Sequence, residues 1–406
     1  MGPSLYSFAM TSPAPAPAGR RLRIGVAGLG AVAQAVHLPL LARLDSTFEI
    51  VAICDLSPSI LAAIGDRQRV APAARYASVE ALLQGMADPD GSGLDGLLIL
   101  TSGSHGAAAL AALERGVPVL CEKPLAYTLA EADALGASPA ADRLLLGYMK
   151  AFDPAVVEAT RIRADRAAGL GALRAIEVTV LHPTSESQLA FAHLLPPPID
   201  VDPVVLAGLR AGTSDLIRRA IGPAADELGV LYADILLGSI AHELSVIRAV
   251  AGDVVEIDRV DTWPESAAPG SVSLAGRLAD GTRVTIGWHF LEDYPAYRED
   301  VRFHYVGGSM ELTFAAPYRL HEPTRLAVST GRDETRRELV FESIEEAFET
   351  ELLAFRDLIR DGTAPRAGIA DGRTDIATCQ RAIARLATRR GLEIGGEAAQ
   401  FAADPR

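Results

Sequence analysis

The sequence predicts an α/β protein: an N-terminal Rossmann dinucleotide-binding domain followed by a C-terminal α+β domain with a large, mainly antiparallel open sheet. Three observations carry this. Short apolar runs alternate with helical patterns from Leu22 to Tyr148. The segment "GVAGLGAVAQ" sets a glycine-rich turn between the first strand and the first helix. After Asp153-Pro154 the pattern changes to strands in antiparallel style.

In chain order, "RLRIGVAG", "FEIVAIC", "DGLLIL", "VPVLC" and "RLLLGY" read as buried strands, with "AQAVHLPLLARL", "SPSILAAIG", "VEALLQ" and "GAAALAALERG" as the helices between them. Such alternation argues a parallel sheet covered on both faces. Next come a long helix, "PAVVEATRIRADRAAG", and a strand, "LRAIEVTVLHP". The irregular, Pro- and Asp-rich stretch 183–229 reads as an insertion of the kind that forms a substrate lid beside a cleft. A helix is predicted from Asp234 to Val250, followed by the strands "VVEIDRVDTWP", "SVSLAGRL", "RVTIGWHFL", "DVRFHYVG" and "SMELTF". The Asp-Gly of "LADGTR" signals a hairpin. Two helices, "IEEAFETELLAFRDLIRDG" and "GRTDIATCQRAIARLATRRG", are expected to close the second domain. The predicted division is a disordered Pro/Ala tail at 1–20, the Rossmann domain at 21–152, the substrate and oligomerisation domain at 153–390, and a tail at 391–406.

A chain of 406 residues is long for one core, which fits two domains. A net charge of −14 with no basic cluster disfavours nucleic acid and anionic membrane surfaces as partners. No run approaches the ~18 apolar residues that span a bilayer. The first twenty residues lack the basic and apolar regions of a signal peptide, so the expected location is cytoplasmic. Three cysteines at unrelated spacings, and His182 and His193 eleven residues apart, give no disulfide framework and no metal site. Without a G-x-S-x-G, a P-loop or a zinc-type cluster, acyl transfer, phosphoryl transfer and metallohydrolysis have no support.

Within the glycine turn, Gly28, Gly30 and Ala33 stand in the order G-x-G-x-x-A. Gly28 permits the tight turn, Gly30 lets backbone approach a diphosphate, and the following helix start attracts its charge. The second strand ends at Asp55, an acid placed to bind ribose hydroxyls and repel a 2′-phosphate. NAD is therefore the expected cofactor, with NADP as the alternative. Lys123 follows the strand "VPVLC", at the sheet edge where open α/β folds bind ligands. It either meets a substrate hydroxyl beside the nicotinamide, with a pKa lowered by burial, or snorkels to solvent and pairs with Glu122.

"CEKPLA" after "LILTSGSHGAAALAALERGVPVL", with "GLGAVA" upstream and "LGYMKAFDPA" downstream, resembles the Gfo/Idh/MocA oxidoreductase family over roughly Leu22 to Thr388. The resemblance implies an NAD(P)-dependent dehydrogenase or reductase of sugars, cyclitols and related polyols, with the substrate between the two domains. It makes Lys123 the catalytic lysine and places His105 near the cofactor edge. It also sets Tyr148 and Lys150 in the wall of the substrate pocket. Cofactor contacts are expected from Gly28, Gly30, Ala31, Val32, Asp55, Thr101, His105, Glu122 and Lys123. The family pattern D-x-G-x-H-x-x-D aligns with "LLGSIAHELS": His242 is kept as a catalytic or substrate-anchoring group, but Gly238 stands where the aspartate belongs. Glu243 should point about 100° away from His242 around the helix. Asp234 is the nearest acid on roughly the same face.

The function expected is hydride transfer between nicotinamide and a CH–OH or C=O carbon of a sugar, aminosugar, cyclitol or similar polyol. Two alternatives stand beside it: a dinucleotide-binding sensor without turnover, or an enzyme in which tightly bound NAD oxidises transiently to promote elimination or glycoside cleavage. A homodimer or homotetramer is the expected assembly.

Overall fold

The computed structural model describes residues 20–87, 93–165, 169–264, 270–332 and 335–402. All but Arg20 of the expected N-terminal tail lies outside them.

The first sheet has six parallel strands: β1 (Leu22–Ala27), β2 (Phe48–Cys54), β3 (Arg75–Tyr76), β4 (Gly96–Ile99), β5 (Val119–Glu122) and β6 (Leu144–Gly147). Their order is β3-β2-β1-β4-β5-β6, so the direction of winding reverses between β1 and β4. The crevice outside the carboxyl ends of these two strands is where such sheets bind ligands. Continuous Val, Leu and Ile runs make the central strands because both faces are covered. The two-residue β3 adds an edge strand that the sequence reading omitted, since "RY" carries no periodicity.

Helices α1 (Leu38–Arg43), α2 (Pro58–Arg67), α3 (Val79–Gly85), α4 (Gly106–Leu113) and α5 (Leu129–Gly136) connect these strands. Local chemistry starts three of them: Ser57 and Ser78 accept backbone N–H groups at their helix starts, and Thr128 with Glu131 forms a capping box.

Asp153 caps α6 (Pro154–Ala164), which leads to β7 (Leu173–His182). The insertion contains α7 (Ser185–Leu189), α8 (Pro203–Ile221) and α9 (Ala225–Val230). The chain then makes wide π-type turns over Leu231–Ile240 and enters α10 (Ala241–Val250). An apolar window of mean hydropathy 1.5 lies within Pro203–Val250, but 72% of it is buried inside the protein, as in a core helix.

The second sheet adds β8 (Val254–Trp263), β9 (Ser271–Leu278), β10 (Arg283–Phe290), β11 (Arg298–Tyr305), β12 (Gly308–Phe314), β13 (Arg325–Arg332) and β14 (Thr335–Phe341). The eight strands run β14-β13-β12-β11-β7-β10-β9-β8. Only the β7–β10 pairing is parallel. The fold class is thus the one predicted. The last two strands escaped the sequence reading because β14 is exposed along most of its length and has no apolar alternation.

Two final helices, α11 (Ala347–Asp361) and α12 (Ile369–Arg390), correct the expectation that both would close the second domain. The apolar stripe of α11, including Phe348, Leu352 and Phe355, belongs to the same core as Ile24, Val26 and Leu98 of the first sheet. A side chain at Gly96 would stand 2.8 Å from the Phe355 ring, so β4 and α11 are fitted to each other. Beyond α12 the chain docks again: the Glu397 carboxylate accepts the Leu129 and Ala130 N–H groups at 2.6 and 2.9 Å before α13 (Ala399–Ala402).

Candidate active site

At the crevice, Gly28 has φ +90°, and any β-carbon there would lie 2.6 Å from the backbone of Leu100 and Thr101. Only glycine meets both conditions. Nothing lies within 4 Å of the β-carbon position of Gly30, and Gly30, Ala31 and Val32 all reach the surface. Asp55 binds back across the turn, accepting Leu29 N–H at 2.8 Å and Ser57 N–H at 3.0 Å. Two N–H bonds leave each carboxylate oxygen with a free lone pair. The open edge above Gly30 and the partly exposed acid fit a diphosphate and a ribose diol.

His105 is 1% exposed, with Nδ1 2.6 Å from Pro124 O and Nε2 2.6 Å from Thr101 O. With both nitrogens engaged, it staples the turn after β4 to the segment after β5 and offers a cofactor no polar atom. Its contact with Pro124 O falls on the residue directly after Lys123, and the Lys123–Pro124 peptide bond is cis. Glu122 also points inward: Oε1 lies 3.1 Å from His37 Nε2, and Oε2 accepts the Lys123 N–H at 3.2 Å. Burial alone would raise its pKa, but His37 outweighs burial and holds the carboxyl below its usual range.

The Lys123 ammonium donates to Gly238 O at 2.5 Å. Gly238, which stands where the resembled pattern has its aspartate, thus meets Lys123 through a main-chain oxygen of the wide-turned segment. Burial depresses the Lys123 pKa, Lys150 adds to this, and the carboxylates of Glu122 and Glu243 resist it. His242 lies close by, with Nδ1 buried and unpartnered. Burial, reinforced by Lys123 and Lys150, pushes its pKa well down, so at neutral pH it is an uncharged imidazole.

Tyr148 and Lys150, expected in the pocket wall, are both buried and each bonded to acidic partners. The buried Tyr148 hydroxyl donates to Asp375 Oδ2 at 2.5 Å, and Asp375 is in turn paired with Arg248. The tyrosine ring stands edge-on to His242, with centroids 6.3 Å apart. It thus packs behind the histidine instead of presenting a hydroxyl to a ligand. Lys150 is 2% exposed and buried between Glu299 and Glu243, with the latter at 3.2 Å. Burial lowers its pKa, yet the two carboxylates prevail and hold it above the usual lysine value.

Sequence reasoning missed the two acids. Glu243, one residue on around the helix from His242, is itself buried, bonds Lys150, and acts electrostatically on Lys123. Burial lifts its pKa to about 7 against the pull of Lys150. Glu299 accepts the Tyr297 hydroxyl at 2.5 Å. A signal for Glu299 existed, because Glu299, Val301, Phe303 and Tyr305 share one parity of β11 and all face inward. Asp234, the other candidate acid, faces solvent. Trp288 and His289 do face opposite sides of their strand. Trp288 donates to Ser239 Oγ at 2.9 Å, while His289 packs on Trp263. His182 stacks between Trp288 and Tyr297, with centroids 5.0 and 5.8 Å away.

Lys123, neutral His242 and the Lys150–Glu243–Glu299 group therefore stand together, with His242 Nδ1, Glu243 Oε2 and Glu299 Oε1 all buried and unpaired. Unpaired buried polar atoms are costly, and a polyhydroxylated ligand is one way to satisfy them. Among the described residues no group of His, Cys, Asp and Glu has metal-binding geometry.

A glycine-turned parallel sheet, open at its switch point and facing a second domain with an open sheet, defines the class: a two-domain dinucleotide-binding protein. Residues 22–146 match the model of the Gfo/Idh/MocA oxidoreductase family with NAD-binding Rossmann fold. Among curated relatives, an inositol 2-dehydrogenase of Saccharopolyspora erythraea is 34% identical over 150 residues, 35% of this chain. The chain spans about 40% of that relative's length. Aldose-aldose oxidoreductase from Caulobacter crescentus, solved with glycerol, superposes with TM-score 0.64 at 20% identity, covering 92% of this chain and 98% of its own. An oxidoreductase from Agrobacterium radiobacter, solved with NAD+, L-tartaric acid and magnesium, has TM-score 0.62 at 17% identity, covering 94% and 100%. At those identities the likeness is one of fold.

Proposed function

We propose that this protein is an NAD-dependent dehydrogenase or reductase that moves hydride between nicotinamide C4 and a CH–OH or C=O carbon of a sugar, aminosugar, cyclitol or similar polyol. The observation that carries it is Lys123: a depressed ammonium anchored on Gly238 O at the carboxyl end of a Rossmann strand, beside a neutral histidine. The nicotinamide, when bound, supplies or accepts the hydride. The amides of Gly30, Ala31 and Val32 hold the diphosphate and Asp55 the ribose. Thr101 lies at the nicotinamide end of the groove, and Glu122 and His105 fix Lys123 from behind.

Lys123 exchanges a proton with the reacting oxygen, which burial makes easier by bringing its pKa down toward neutral. His242 offers Nδ1 to the same or a neighbouring hydroxyl. Glu243 and Glu299, held by Lys150, accept further hydroxyls and so favour a substrate carrying several. The inositol 2-dehydrogenase relative and the aldose-aldose oxidoreductase neighbour agree with a polyol or sugar-like substrate. Two or four copies are inferred to associate through the uncovered face of the second sheet, which light scattering of the purified chain checks.

The test is incubation with NAD+ or NADP+ and a panel of inositols, aldoses and aminosugars, following the near-ultraviolet absorbance of the reduced nicotinamide. A substrate-dependent rise supports the reading. A chain that binds NAD+ but reduces none of it with any polyol, and oxidises no NADH with the matching ketones, contradicts it.

A further inference from the structure

Asp200 sits on the Pro-rich strap 195–200 of the insertion, yet its carboxylate is bound to the Rossmann domain. Oδ1 accepts the Ser57 hydroxyl at 2.6 Å and Oδ2 accepts the Ser59 N–H at 2.7 Å. Ser57 is 0% exposed, and its oxygen also accepts the Ile60 N–H at 3.1 Å while standing 3.1 Å from Ser59 Oγ. These donors belong to the turn directly after Asp55, so two carboxylates from different domains converge on one turn. The strap is pinned elsewhere along the same sheet edge. Leu195 N–H donates to Gln34 Oε1 at 2.9 Å, Gln34 Nε2 donates to Leu29 O at 2.8 Å, and Leu195 packs on the first domain's core. Farther along the insertion, Thr213 Oγ1 lies 3.9 Å from the β-carbon position of Gly103, in the loop after β4. The insertion thus bonds to the segments after β1 and β2 and runs close to the loop after β4.

We propose that Asp200 is a specificity-determining residue for the cofactor, a step that rests on the dinucleotide-binding reading above. The ribose hydroxyls held by Asp55 lie at this turn. A 2′-phosphate there needs free donors or a cation. The Ser57 hydroxyl and Ser59 N–H are already spent on Asp200, and the turn sequence "DLSPS" contains no basic side chain. The phosphate must displace a carboxylate from its donors and then lie between two negative charges, whereas a 2′-hydroxyl meets neither obstacle. The Ser57 hydroxyl also holds the Asp200 carboxyl below the usual carboxylate range, so it is ionised at neutral pH. Discrimination is thereby shared between the acid that ends β2 and one delivered by the other domain.

The test measures dissociation constants for NAD+ and NADP+ by calorimetry on the full chain, for wild type, Asp200→Ala and Asp200→Asn. Asp200 is exposed and is not the cap of α8, which is Asp202, so both variants should fold; matching melting temperatures verify this. The expected result is a wild type that prefers NAD+ by about 100-fold, with NADP+ binding tightened roughly 10-fold in both variants and NAD+ binding within about 3-fold of wild type. Raising the salt concentration should narrow the wild-type gap more than that of the variants. Unchanged NADP+ affinity in both variants, or a wild type that binds the two dinucleotides equally, overturns the role of Asp200. A wild type that binds neither dinucleotide overturns the cofactor reading itself, which separates the two failures.

Discussion

Lys123, His242 and Glu243 each titrate away from their ordinary values. Burial pushes the lysine and the histidine down and the glutamic acid up. Glu243 has the clearest consequence. Its pKa rises from 4.5 to about 7 on folding, so between these values the folded chain holds a proton that the unfolded chain has lost. The stability contribution is complete below the unfolded value and is lost as pH rises through the folded one. Glu243→Gln mimics the protonated acid. It should melt with wild type near pH 5 and be more stable by roughly 2 kcal/mol at pH 8. Thermal melts across that range check this, and a variant equally destabilised at both pH values would contradict it. Gly28→Ala makes a second prediction: with a β-carbon 2.6 Å from the backbone of Leu100, the loop must shift, and NAD+ binding should weaken at least about 10-fold. Lys123, the glycine turn and Asp55 were legible because each follows a strand end in one dimension. The acids were not, since their importance comes from α10 and β11 both delivering a carboxylate to Lys150.

At the scale of elements, α11 links the two halves of the chain. It arrives after the second sheet, yet Phe348, Leu352 and Phe355 complete the core under β1 and β4. Phe355→Ala should therefore cost about 3–5 kcal/mol and lower the melting temperature while also weakening NAD+ binding, although the residue lies in the C-terminal part of the sequence. Calorimetric unfolding with and without NAD+ checks both effects. The amphipathic pattern of α11 revealed a helix but not its destination, because an apolar stripe does not specify which core receives it. The buried parallel strands were legible from their unbroken apolar runs. By contrast β3 and β14, one two residues long and the other largely solvated, gave periodicity nothing to register. The turn that brings Gly238 O to Lys123 was hidden for a related reason, since π-type winding does not alter composition.

For the whole molecule, the second domain returns to the first at several places: the strap at Asp200, α11 in the core, and Glu397 on the start of α5. The sequence reading expected the insertion to form a lid but gave no sign that its acid would reach the β2–α2 turn. The candidate site is consequently shared, with Lys123 supplied by one domain and Gly238, His242, Glu243 and Glu299 by the other. In the proposed function, Lys123 handles the proton of a nicotinamide-linked oxidation. The most direct measurement compares Lys123→Met with wild type, pairing NAD+ dissociation constants with steady-state turnover on whichever polyol the panel identifies. Turnover should fall by about 10²- to 10⁴-fold with NAD+ affinity within roughly 3-fold of wild type. Near-normal turnover in the methionine variant would contradict the account.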